Sequence, residues 1–154
     1  MAVGHCAFES RDPGLGSYML TVMEKVAVLQ TVEAFRAVPT QSLARVAAIA
    51  QEVDYQAREA LYSDNEAADS MFVLLEGEVV LLRPGQEEKK LGPGQVAGLL
   101  ALLAGDSEPE SAMATQLVRA LRLDQEDFYD AMAEDFNLTR GILQAVVRWA
   151  AGTR

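Results

Sequence analysis

From Glu52 the period of the apolar positions changes to two, and short strand-like runs then recur as far as Leu123. On both sides of that stretch the apolar positions recur at helical spacing instead. A first helix is predicted from near Tyr18, with Leu20, Met23, Val26 and Ala27 on one side and Thr21, Glu24 and Lys25 on the other. Phe35, Val38 and Pro39 interrupt it. Thr40 is placed to N-cap a second helix, Gln41 to Ala50, with Leu43, Val46, Ala47 and Ala50 on one face.

Val53, Tyr55 and Ala57 then alternate with polar neighbours, and Ala60 to Tyr62 reads as a short second strand. Ser63 to Asp69 reads as a loop. Met71 to Leu75 is apolar at both parities, which predicts a strand buried on both faces. Gly77 breaks it and Val79 to Leu82 continues the sheet. Arg83-Pro84-Gly85-Gln86 and Gly92-Pro93-Gly94-Gln95 both carry Pro and Gly at the centre of a type II turn. Short strands with such regular turns point to a sandwich or barrel. The apolar run LLALLA after Gly98 is helical in pattern. Two more strands are expected near Ser111 to Thr115 and Val118 to Leu123. Asp124 is placed to cap a helix with Glu126 and Asp127 in its first turn, where the dipole favours acid. A last helix, Asn137 to Ala150, carries the apolar stripe Leu138, Ile142, Ala145, Val146 and Trp149. The expected fold class is α+β: a jelly-roll-like antiparallel β-barrel of about eight short strands between N- and C-terminal helices. Residues 1–17, rich in Gly, Pro and polar residues, read as a mobile arm before one domain over 18–154.

Composition narrows the function. The chain has 154 residues, enough for a real core, and half of them are hydrophobic. Its formal net charge of -10 weighs against nucleic acid and anionic lipid as partners. There is no basic stretch leading into an apolar core at the N-terminus. The longest apolar run, Val96 to Ala104, is about half of the roughly 20 residues that a spanning helix needs, so no direct membrane insertion is expected. The single cysteine, Cys6, permits no internal disulfide, in keeping with a cytoplasmic location.

Several short strings occur in a telling order. They are Asp69-Ser70-Met71-Phe72, Glu76-Gly77-Glu78-Val79, Leu91-Gly92-Pro93-Gly94-Gln95-Val96 and Leu123-Asp124-Gln125-Glu126-Asp127-Phe128. Between the last two lie Gly98-Leu99-Leu100-Ala101-Leu102 and Pro109-Glu110-Ser111-Ala112. The set resembles the cyclic-nucleotide-binding domain family over roughly Leu20 to Ala150. The final two strings are similar to that family's phosphate-binding cassette, close to F-G-E-L-A-L followed by P-R-S/A-A. The resemblance implies a bacterial sensor domain like that of the catabolite activators. The DNA-reading helix-turn-helix of those proteins is not expected here, so no nucleic acid partner is either.

The resemblance implies ligand-binding positions at Gly98, Leu99, Leu100, Ala101, Glu110, Ser111 and Ala112. In the family a helix N-terminus and small residues admit the phosphate, and an Arg fork pairs with it. Leu99 stands where the family has a Glu for the ribose hydroxyl, and Glu110 where it has that Arg. A charge-assisted Arg–phosphate contact is worth about 1.5–3 kcal/mol. Replacing it by a carboxylate adds up to roughly 4 kcal/mol of repulsion at close range, unless Glu110 turns to solvent. Two further departures bear on pocket shape: Asn65 to Ala68 lacks the family's Gly, and Met113 to Leu121 is about two residues short.

Three outcomes are therefore open. The pocket is collapsed around Leu99 and the fold serves as a scaffold. Or it takes a different, cationic or neutral ligand with Glu110 as partner. Or it retains cyclic nucleotide through backbone contacts and relays it through the C-terminal helices. The first makes the chain a non-catalytic regulatory or interaction module with a degenerate cassette and no cofactor. Its contact with a protein partner or a second copy would then run through Leu138, Ile142, Val146 and Trp149 of the last helix. An enzyme is not expected. His5 and Cys6 are the only histidine and cysteine, too few for a transition-metal site, a metal-dependent cupin or a Cys–His nucleophile pair. Glu87-Glu88 and Glu134-Asp135 read as solvated charges.

Overall fold

The computed structural model describes residues 19–63, 69–104 and 110–152. The expected arm, His5, Cys6, the loop positions 65–68 and Pro109 lie outside them. Helix α1 (Val22–Gln30) begins at a capping box: Thr21 Oγ1 accepts from the Glu24 N–H at 3.1 Å, and Glu24 Oε1 accepts from the Thr21 N–H at 2.8 Å. Thr21 and Glu24 therefore start the helix rather than only lining its polar side. The buried residues are Val26 and Leu29, whereas Met23 and Ala27 face solvent. A 3₁₀ turn (Glu33–Phe35) puts Ala34 and Phe35 in the core. Helix α2 (Thr40–Ile49) is N-capped by Pro39 with no side-chain cap. Thr40 sits inside the first turn, and its hydroxyl accepts from Gln30 Nε2 at 3.2 Å.

Eight strands follow: β1 (Gln51–Tyr55), β2 (Ala60–Tyr62), β3 (Ser70–Glu76), β4 (Val79–Leu82), β5 (Lys89–Leu91), β6 (Val96–Ala97), β7 (Ser111–Ala114) and β8 (Val118–Asp124). They form two antiparallel four-stranded sheets, ordered β1-β8-β3-β6 and β2-β7-β4-β5. This is the expected jelly-roll-like arrangement. Helix α3 (Leu99–Ala104) lies between β6 and β7; α4 (Gln125–Glu134) and α5 (Phe136–Gly152) close the chain. The turn at Arg83–Gln86 forms as expected, with Gly85 at positive φ and the Gln86 N–H donating to the Arg83 carbonyl.

The two parities of β3 and β8 serve two cores. Phe72, Leu74, Val118 and Ala120 face inward between the sheets, against Leu61, Leu81 and Ala112. Met71, Val73, Leu121 and Leu123 face outward and are covered by Leu29, Phe35, Leu43, Phe128, Leu138 and Ile142 of the helical layer. At the other end of β8 the outward position is Arg119. Its Nη2 donates to Glu52 at 2.8 Å and its Nη1 to Glu76 at 3.2 Å, and Asp54 Oδ1 lies 3.9 Å from its Nε. The Leu20 N–H also donates to Glu52. Asp124 N-caps α4 by position only, since its carboxylate accepts from Ser70 Oγ and Arg122 Nε.

Helix α5 is held close to the 3₁₀ turn region at Gly141. A Cβ there would lie 2.5 Å from Val38 Cγ2 and 3.1 Å from the Val38 backbone.

Candidate functional site

Chain reversal from β6 into α3 is made by Gly98 at φ +91, a conformation that disfavours side chains. The Leu102 N–H then donates to the Gly98 carbonyl at 3.0 Å and closes the first turn. Helix α3 is tied to α4, because the Leu102 carbonyl accepts from Tyr129 Oη at 2.6 Å and Gln125 Nε2 at 3.2 Å.

A cleft of about 660 Å³ opens beside this turn. Gly98, Leu99, Leu100 and Glu110 all reach its wall. Leu99 is nonetheless 3 % exposed and packs into the helical core with Leu102, while Leu100 is exposed. Ala101 and Ser111 are half-buried and Ala112 is fully buried between the sheets; none of these three is on the cleft wall. Leu99 thus sits in the helical core, and a cleft stands open beside it.

Glu110 does not turn to solvent. It is 9 % exposed, its Oε2 accepts from Arg83 Nε at 2.8 Å, and its Oε1 accepts from Tyr62 Oη at 2.8 Å. Strand register explains the pairing. Leu82 lies opposite Ser111, so one step further along sets Arg83 beside Glu110; Tyr62 lies opposite Ala112, two residues from Glu110, and reaches it diagonally from the other neighbouring strand. Burial pushes the Tyr62 phenol well above its ordinary range, and the hydrogen bond to Glu110 pushes it further.

The expected interface residues fall in two groups. Leu138 and Ile142 are buried in the chain's own core and cannot meet a partner; Val146 and Trp149 pack against that core, and Trp149 also borders the cleft. The exposed apolar residues of α5 are Phe136, Leu143 and Val147.

The sequence reading missed the basic residues of the cleft: Arg36, Arg83, Lys89 and Arg148 line it, against the two carboxylates Glu33 and Glu110. A cationic ligand held by Glu110 is thus disfavoured, because its carboxylate is taken and its surroundings are basic. Arg148 had a legible signal. Gly141, Ala145, Arg148 and Gly152 fall at helical spacing, so a guanidinium shares the face that buries Gly141 and Ala145. Its Nε and Nη2 are shielded from solvent and meet no hydrogen-bond acceptor among the described residues.

A family model described as the cyclic nucleotide-binding domain matches residues 52–135. Solved structures agree in fold. A putative cyclic nucleotide binding protein from Ruegeria pomeroyi is 21% identical with a TM-score of 0.72, covering 87% of this chain and 62% of that one. The N-terminal domain of a transcriptional regulator from Streptomyces coelicolor is 26% identical with a TM-score of 0.70, covering 82% and 94%. The regulatory subunit of a cAMP-independent protein kinase A from Trypanosoma brucei is 13% identical with a TM-score of 0.72, covering 84% and 46%. The chain thus spans less than two thirds of the first and third of these. No curated protein matches the sequence significantly.

Proposed function

The chain belongs to the cyclic-nucleotide-binding domain family, and on that footing we propose that it is a non-catalytic regulatory module whose cassette does not take cyclic AMP or cyclic GMP in the usual way. One observation carries the reading. The carboxylate of Glu110, at the cassette position of the phosphate-binding Arg, is buried and fixed by Arg83 and Tyr62. A cyclic phosphate approaching that position meets a carboxylate that cannot swing away without losing both partners. Leu99, set in the core, offers no acceptor to a ribose hydroxyl. This reading includes a cytoplasmic location; no helix among the described residues is long and apolar enough to cross a membrane.

Calorimetric titration with cyclic AMP and cyclic GMP tests it. The native chain is expected to stay silent, and Glu110→Arg to gain binding. Leu99→Glu is a poorer repair, because it places a charge among Leu102 and its core neighbours. Micromolar binding by the native chain would overturn the reading.

A second reading, a sensor for another small ligand, is favoured by the open cleft. Its size lies within the range of small-molecule sites, roughly 300–1,000 Å³. Helix α3 is hydrogen-bonded to α4, and Trp149 of α5 borders the cleft, so occupancy has a route to the C-terminal helices. Output to a protein partner or a second copy would then use Leu143 and Val147, 56% and 64% exposed, rather than the buried Leu138 and Ile142. The Leu143→Glu/Val147→Glu variant is expected to shift a self-associating protein toward monomer in sedimentation analysis. No shift would remove this face from the reading.

A further inference from the structure

We draw no further inference here: the strongest candidate, the outward apolar face at the start of α1 formed by Met19, Val22 and Met23, is exposed, and nothing in the structure shows what covers it.

Discussion

Arg83 Nε lies 2.8 Å from Glu110 Oε2, so this carboxylate of the cassette is neutralised from beside the neighbouring strand. The two side chains differ sharply in environment: Glu110 is 10% exposed and Arg83 49%. The buried partner therefore depends on the half-exposed one. The carboxylate is part of a three-residue unit with Arg83 and Tyr62.

Removing Arg83 should leave Glu110 buried with only a phenol for support. Arg83→Ala is expected to cost about 1–2 kcal/mol, below the cost for a fully buried pair because the guanidinium is half in water. Adding Glu110→Gln should return part of that loss. Urea unfolding of the two single variants and the double variant measures the coupling, expected near 1 kcal/mol. A coupling of zero would mean that the pair does not hold the carboxylate.

Tyr62 gives a prediction at alkaline pH. Its folded-state pKa is raised, by burial first and by Glu110 second, above the unfolded value near 10. The folded state keeps the phenolic proton where the unfolded chain releases it. Its contribution is thus fully present below about pH 10 and is lost as pH rises beyond, by up to about 1.4 kcal/mol per pH unit. Tyr55, also raised by burial, adds in the same direction. Tyr62→Phe keeps the stacking on Phe72, whose ring centroid is 6.3 Å away, and removes the titration. Unfolding curves at pH 9 and pH 11 should therefore diverge less for Tyr62→Phe than for the native chain. Equal divergence in the two proteins would remove Tyr62 from the account.

Most of the architecture was legible because its signals are local. Apolar residues at both parities of Met71 to Leu75 predicted a strand with two covered faces, and β3 does lie between two cores. Pro-Gly pairs predicted turns that form with Gly85 and Gly94 at positive φ. Errors arose where one residue type fits two roles. Thr21 with Glu24 has polar-face spacing and capping-box spacing at once, and Met23 is apolar yet exposed. The site was legible only along the chain. Gly98, Leu99, Leu100 and Glu110 are close in sequence and meet on one wall, whereas Tyr62, Arg83 and Arg148 reach them through strand register and helix packing. No motif spacing encodes those approaches. The stripe on α5 predicted burial correctly but not destination: Leu138 and Ile142 are apolar enough for an interface and are used for the core.

Arg119 should be the costliest surface-proximal residue to remove. It is paired with Glu52, 3% exposed, and Glu76, and it lies beside Asp54, 1% exposed. Arg119→Leu fills similar space but leaves two buried carboxylates without their shared cation. A loss of about 3–5 kcal/mol is expected, the range for breaking a buried pair from one side. Replacing Glu52 by Gln in the same chain should recover some of it. Denaturant midpoints decide the matter, and a loss below about 1 kcal/mol would show that solvent already screens the cluster.

Gly141→Ala tests whether the position of α5 is set by close approach. Helix propensity alone predicts a gain of about 1 kcal/mol for this change. The added Cβ, however, would lie 2.5 Å from Val38 Cγ2 and 3.1 Å from Val38 backbone atoms, so either the stiff β-branched Val38 or the helix must move. Overpacking of that kind costs about 1–3 kcal/mol, which cancels or outweighs the propensity gain and leaves a net loss of about 0–2 kcal/mol. The same displacement shifts Arg148, two turns further along α5 on the same face, and so should weaken any ligand that α5 helps to hold. A stabilised Gly141→Ala protein with an unchanged cleft would show that Val38 yields freely and that α5 is positioned by its other contacts, those of Leu138, Ile142 and Ala145 with the core.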